Sequence, residues 1–244
     1  MFVDESKLVV KGVGISYKAF SLSHISFNLN QGEILGLVGG SGSGKSTIIK
    51  ALVGIKLPDS GSVKFTIKGK EMPLNDYLGY SPQQNSLFPF LTVEENIQTF
   101  AKLYKVDSYT AYNRMDALLK RLNLSNHRSK RINQLSGGMK KRVDLAVSLI
   151  HSPKFIILDE PFNGLDISLQ KFIWDLLLEL KEKGKMIIVS SHMLSDIRKY
   201  CSKFGLVHKG YFYNTEQIDE SLKTSKHHSF ESFLGNLFEK SMKN

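Results

Sequence analysis

Cysteine is almost missing from this 244-residue sequence: Cys201 stands alone. A lone cysteine excludes an internal disulfide and fits a reducing compartment. No apolar run approaches the roughly 18 residues that a membrane-spanning helix requires. The opening decapeptide MFVDESKLVV starts acidic and lacks a long apolar stretch, so a secretory signal is not expected. Metal-ligand spacing is absent too: His127, His151, His208, His227 and His228 fall in no pattern that chelation uses. Internal repeats, low-complexity tracts and a dividing linker are also lacking. Negative charge is in short supply, with 23 Asp+Glu against 33 Lys+Arg and a formal net charge of +10. That balance admits nucleic acid, an anionic membrane face or nucleotide phosphates as partners. Yet no long basic tract exists. HRSKR (His127 to Arg131) and KKR (Lys140 to Arg142) are short, and both are expected to be solvated faces.

What is present is a globular composition, 41% hydrophobic and 23% charged, on a chain long enough for a large domain or two small lobes. Lys7 to Tyr17 and Ile25 to Leu29 alternate apolar and polar, which predicts antiparallel strands at the start. EILGLVG is a short continuous apolar run, as a buried parallel strand would be. KSTIIKALVG predicts a helix stopped by Gly54. PDSG predicts a turn and SVKFTI a further strand. Thr92 and Glu95 have capping-box spacing, and helical periodicity runs through Leu103 and again from Tyr112 to Leu124. KFIILDE and KMIIVSSH are two more buried strands, separated by the amphipathic helix SLQKFIWDLLLELKEKG that ends at Gly184. Strand, helix, strand in this order predicts a parallel α/β architecture.

The glycine-rich stretch GGSGSGKST, Gly39 to Thr47, lies between a predicted strand and a predicted helix. Gly39, Gly44, Lys45 and Ser46 fit G-x-x-x-x-G-K-[ST]. Glycine lets backbone N–H groups turn inward and approach phosphate oxygens, and the helix N-terminus adds its dipole. Lys45 reaches the outer phosphates, and the Ser46 hydroxyl suits Mg²⁺. FIILDE supplies the complementary carboxylates. Asp159 emerges at the end of a buried strand to hold Mg²⁺, and Glu160 is placed to polarise an attacking water. LSGGM (Leu135 to Met139) adds a second candidate anion site, with Ser136 as helix N-cap and Gly137 and Gly138 exposing backbone N–H groups. One chain has one such phosphate loop, so a second phosphate reader suggests a nucleotide shared between two copies.

In these motifs, and in their order, the sequence resembles the ATP-binding subunits of ABC transporters, most closely the exporter branch for drugs, sodium or lipids. The resemblance runs from about Lys7 to Gly210. Tyr17 matches the aromatic that stacks on adenine. Gly39, Gly40, Ser41, Gly42, Ser43, Gly44, Lys45, Ser46 and Thr47 match the Walker A loop. Gln83 in GYSPQQ matches the glutamine that senses γ-phosphate and the membrane partner and adds a metal ligand beside Ser46 and Asp159. LTVEENI is similar to the start of the helical subdomain. Ser136, Gly137 and Gly138 match the signature, Asp159 and Glu160 the Walker B strand with its catalytic glutamate. Asp166 in NGLD matches the D-loop aspartate and His192 in SSH the switch histidine. Gly40 and Ile167 stand where the family often has proline; neither change removes a catalytic side chain.

The resemblance implies an α/β fold: a RecA-like P-loop NTPase core, an N-terminal antiparallel β-subdomain, and an α-helical subdomain at about residues 84–150, all within residues 1–215. Residues 216–244 form a tail. There Phe230, Phe233, Leu234, Leu237 and Phe238 share one face of an expected amphipathic helix. The resemblance further implies ATP and Mg²⁺ as cofactors, catalysis by Glu160, His192, Gln83 and Lys45, and a second ATP-binding subunit, identical or related. A separate membrane permease would place the chain on the cytoplasmic face of the cell membrane. The competing class is a soluble ABC ATPase acting on nucleic acid or the ribosome. The stretch from Gln83 to Leu135 is too short for the long coiled coil of the chromosome type, and the translation type usually joins two ATPase units in one chain. Nucleic acid is therefore an unlikely partner. A P-loop kinase would lack LSGGM and the NGLD aspartate.

Overall fold

The computed structural model describes residues 5–17 and 20–224. Among these residues ten strands form one sheet in the order β5-β4-β1-β2-β10-β9-β3-β8-β7-β6. Its two halves obey different rules. β1 (Ser6–Tyr17), β2 (Phe20–Asn30), β4 (Ser60–Ile67) and the short β5 (Lys70–Glu71) are antiparallel neighbours. β3 (Ile34–Val38), β6 (Leu78–Ser81), β7 (Phe155–Leu158) and β8 (Met186–Ser191) are parallel, and β9 (Lys203–His208) runs parallel to β3. β10 (Tyr211–Asn214) turns back along β9 and meets β2 through a single pair, Tyr211 with Ser23.

The apolar strands are continuous because both sheet faces are covered. Alternate residues point to opposite cores. Ile34, Val38, Ile156, Leu158, Ile187 and Val189 pack on one side with α4 (Gly137–Leu149), α5 (Ile167–Glu182) and α6 (Leu194–Tyr200). Leu35, Leu37, Phe155, Ile157 and Ile188 face the other side, with α1 (Lys45–Leu52) and the antiparallel strands.

The predicted helix starts and stops are largely observed. Thr92 and Glu95 form a reciprocal capping box on α2 (Val93–Leu103). Gly54 and Gly184 both follow helix ends at positive φ, and the residue beyond each donates its N–H to the carbonyl of the third residue from the helix end. α3 runs Ser108–Arg121, earlier than the periodicity from Tyr112 suggested, because Asp107 caps it and Asn123 ends it in the left-handed region. β6, β9, β10, α6 and α7 (Thr215–Thr224) were not anticipated. The aromatic tail segment, Phe230 to Phe238, lies outside the described residues.

One charge expectation fails. KKR is not a solvated face: the Lys141 side chain is only 12% exposed and pairs with Asp144, while Arg142 reaches the Leu122 carbonyl and lies over Phe172. In HRSKR, Arg128 forms a two-pronged pair with Glu94, leaving Ser129 to Arg131 exposed. The amphipathic packing of α4 uses the stems and heads of these cations as part of its buried side.

Candidate functional site

The parallel strands β3, β8, β7 and β6 are adjacent, and each delivers a candidate residue at its C-terminal end. This is where open α/β sheets place ligand sites, because loops leaving neighbouring strands converge there. β3 runs into the glycine loop and α1. Gly44 takes φ +112° directly before α1, and a Cβ there would fall 2.8 Å from both Phe20 and Leu22, so the turn needs glycine twice over. Lys45, only 6% exposed, curls back over its own loop. Its Nζ donates to the Gly39 and Gly40 carbonyls at 2.7 and 3.3 Å and lies 3.1 Å from Glu160 Oε1.

β7 ends at Leu158, and Asp159 and Glu160 follow. Asp159 is buried. Its N–H donates to the Ser81 carbonyl on β6, and its Oδ1 accepts from Ser190 Oγ on β8 at 2.6 Å. The same Ser190 hydroxyl accepts the Glu160 N–H at 2.7 Å. Glu160 sits at φ +47°, a region non-glycine residues rarely adopt. Such strain persists where surroundings over-determine it, often at functional sites. His192, one residue beyond β8, places Nδ1 3.3 Å from Glu160 Oε2. Glu160 therefore lies between a lysine and a histidine, aimed at shared space. Tyr80, beside this cluster, has its hydroxyl pushed up to about 12 by burial and by the Asp159 and Asp144 carboxylates.

That space is a polar cavity of about 170 Å³ lined by Ser41, Gly42, Lys45, Ser46, Gln83, Glu160, Asn163 and His192. The predicted residues Ser41, Gly42, Lys45, Ser46, Gln83, Glu160 and His192 are thus gathered in one place, with Asp159 buried beneath. Asn163 and Ser190 were missed. Asn163 sits in a loop without periodicity, and Ser190 reads only as a polar break in IIVSSH. Five predicted residues lie elsewhere. Ser136 caps α4 by accepting the Met139 N–H at 3.3 Å, with Gly137 and Gly138 as the first helical residues. Asp166 caps α5 by accepting the Leu169 N–H at 2.9 Å. Tyr17, 46% exposed, ends β1 opposite Phe20, which in turn packs on Gly44.

The donor set fits a magnesium nucleotide. Lys45, the α1 N-terminus and the open sides of Gly40 and Gly42 suit phosphate oxygens. Ser43 Oγ is a buried polar atom with no hydrogen-bond partner among the described residues. Ser46, Gln83 and Asp159 offer oxygens to a hard divalent cation. Among the described residues no three His, Cys, Asp or Glu side chains converge; Mg²⁺ that shares phosphate and water ligands needs no such cage.

Comparison with known proteins agrees with this geometry. A family profile described as "ABC transporter" matches residues 22–163. The chain is 35% identical over 189 residues to an uncharacterized ABC transporter ATP-binding protein of Methanocaldococcus jannaschii, covering 78% of this chain and 69% of that one. It is 33% identical over 211 residues to Nod factor export ATP-binding protein I of Burkholderia thailandensis, covering 84% and 65%. The chain therefore spans about two thirds of the length of these curated relatives. Among solved structures, an ATP-binding subunit of an ABC transporter superposes with a TM-score of 0.81 at 28% identity, over 93% of this chain and 98% of that one.

Proposed function

The chain belongs to the ABC transporter family as an ATP-binding protein, and from that premise we propose that it hydrolyses ATP to drive a separate membrane permease. The observation that carries this reading is the convergence of Lys45, Gln83, Glu160 and His192 on one polar cavity at the strand ends. Loop amides, the α1 N-terminus and Lys45 hold the phosphates and stabilise charge in the transition state. Ser46, Gln83 and Asp159 would hold Mg²⁺, which would neutralise phosphate charge. Glu160 orients water and accepts its proton; Ser190 fixes the Glu160 backbone; His192 faces the same oxygens. Tyr17 stacks on the base.

Ser136, Gly137 and Gly138 lie outside this cavity and serve the nucleotide of a second subunit, identical or related, and Asp166 acts at the same junction. ATP then joins two subunits by being gripped from both. Residues 84–150 act as the helical subdomain within an ATPase unit of residues 1–215, followed by a tail of residues 216–244. Phe88, Phe90, Leu103, Tyr109 and Tyr112 are exposed on the helical subdomain and offer apolar contacts to the permease. Among the described residues no helix is long and apolar enough to cross a membrane. In this reading the permease is a separate part, and the chain works on the cytoplasmic side. The Nod factor export relatives favour outward transport. Glu160→Gln tests the core of this reading. It keeps the phosphate and metal ligands but loses the proton acceptor, so turnover should fall at least about 100-fold while ATP affinity holds. Near wild-type turnover would refute it.

A further inference from the structure

The cation that KKR hides is joined to the active site by a chain of buried contacts. Lys141 leaves the second turn of α4, the helix that Ser136 caps. Its Nζ donates to Ser81 Oγ at 2.9 Å and to the Pro82 carbonyl at 3.2 Å, and lies 3.5 Å from Asp144 Oδ2. Ser81 also donates to the same Asp144 oxygen. Ser81 is the last residue of β6, Pro82 the next, and Gln83 the one after that. The Ser81 carbonyl takes the Asp159 N–H at 2.9 Å. Ser81 and Asp144 are completely or almost completely buried, at 0% and 1%. Burying two charges is costly, and a well-packed apolar pair would often be no less stable. Stability alone therefore gives α4 little reason to carry an ion pair here.

We propose that Lys141 is a positioning residue for Gln83: by holding the Ser81 hydroxyl and Pro82 carbonyl from α4, it fixes the root of the Gln83 loop beside Asp159. The inference rests on the reading of Gln83 as a metal and phosphate ligand. It gives α4 two ends of one task. Its first residues face the partner's nucleotide, and its second turn holds a ligand of its own. A shift of α4 relative to the sheet would then move Gln83 directly, without passing through the glycine loop.

Lys141→Met alone would strand a buried carboxylate and risk the fold. The informative pair is Lys141→Met with Asp144→Asn against Lys141→Gln with Asp144→Asn. Both lack the charges, and they differ only in whether residue 141 can donate to Ser81 and Pro82. Backbone hydrogen exchange is measured on the full chain without nucleotide, alongside ATP titration and turnover. In the methionine variant, exchange of the Asp159 amide, which donates to the Ser81 carbonyl, should quicken at least about tenfold, with residues 39–47 and α4 unchanged. Turnover should drop about tenfold from ligand misplacement, with ATP affinity within about twofold. The glutamine variant should recover most of both. Unchanged exchange of the Asp159 amide, equal loss in both variants, or loosening spread over the glycine loop and α4 would each overturn the proposal. The exchange result does not depend on catalysis, so a wild-type chain that failed to hydrolyse ATP would refute the ATPase reading while leaving this test readable.

Discussion

Two helices of this molecule begin in glycine, and they begin differently. α1 starts from a loop that wraps back on itself. Gly42 and Gly44 are in the left-handed region, Lys45 is buried, and its ammonium is satisfied by the loop's own carbonyls and Glu160. Gln83, His192 and Asn163 arrive from three other segments to wall the space. α4 starts in the open. Ser136 and Gly137 are exposed, neither glycine takes a positive φ, and a Cβ on Gly137 would meet nothing within 4 Å. Both ends present unpaired N–H groups and positive dipole. Only the first has, within one chain, the cation, carboxylates and walls that a triphosphate requires. The contrast is that α1 heads a site walled within the chain, while α4 is open and, in the proposed function, heads half of one.

The largest effect that this contrast predicts is at Lys45. Lys45→Ala removes the one side-chain cation in the cavity's floor and leaves Glu160 without its ion-pair partner. ATP affinity should fall about 100-fold, so at a ligand level of 100 times the wild-type Kd about 2.3 kcal/mol of nucleotide-dependent stabilisation disappears. Calorimetric titration and the thermal shift with MgATP both read this. Matching titrations for variant and wild type would break the contrast, since α1 would then not head the primary site.

Ser136→Arg probes the other half and should act on a smaller scale. A bulky cation at an exposed half-site obstructs what approaches from outside. Hydrolysis should drop about tenfold or more, while affinity of the isolated chain for ATP stays within about twofold. A collapse of single-chain affinity would mean that Ser136 belongs to the same pocket as Lys45 and that the two helix starts are not separate halves.

This division was partly legible in the sequence. The glycine loop, Asp159 and Glu160 could be read because their chemistry fixes residue type and spacing over a few positions, whereas Gln83 and His192 could be read only through the resemblance to ABC transporter subunits. The apolar strands could be read because burial on two faces leaves no polar positions. What could not be read depends on strand order. Ser190 and Ser81 bracket Asp159 only because β8, β7 and β6 are neighbours, and nothing within IIVSSH or GYSPQQ announces that. Lys141 looked like surface charge because its partner Ser81 lies sixty residues away. β6 escaped for a related reason. Its four residues hold one large aliphatic, and Gly79 is demanded by α4, where a Cβ would strike the Ser148 carbonyl. Likewise, Asp166 was assigned to nucleotide chemistry from its motif, whereas the folded chain has already engaged one of its oxygens.

That engagement links the two helix starts and gives the smallest effect. Asp166 Oδ1 accepts the Leu169 N–H and so sets the first turn of α5. Leu169 packs so closely behind α4 that a Cβ on Gly138 would lie 2.8 Å from its Cδ2. The aspartate therefore supports the open half from behind. Asp166→Ala should cost about 1 kcal/mol for the lost cap, read as a fall of about 2–4 °C in Tm for a chain of this size. Asparagine caps helices about as well as aspartate, so Asp166→Asn should melt like wild type. The pair separates two roles of one carboxylate. If hydrolysis follows Tm, lost in alanine and kept in asparagine, then Asp166 acts by holding α5 against α4. If asparagine keeps the Tm but loses hydrolysis, the negative charge acts at the subunit junction, and the open half needs more than its glycine-lined helix start. If alanine melts like wild type, the cap contributes nothing to stability, and the support of Gly138 through Leu169 must come from apolar packing alone.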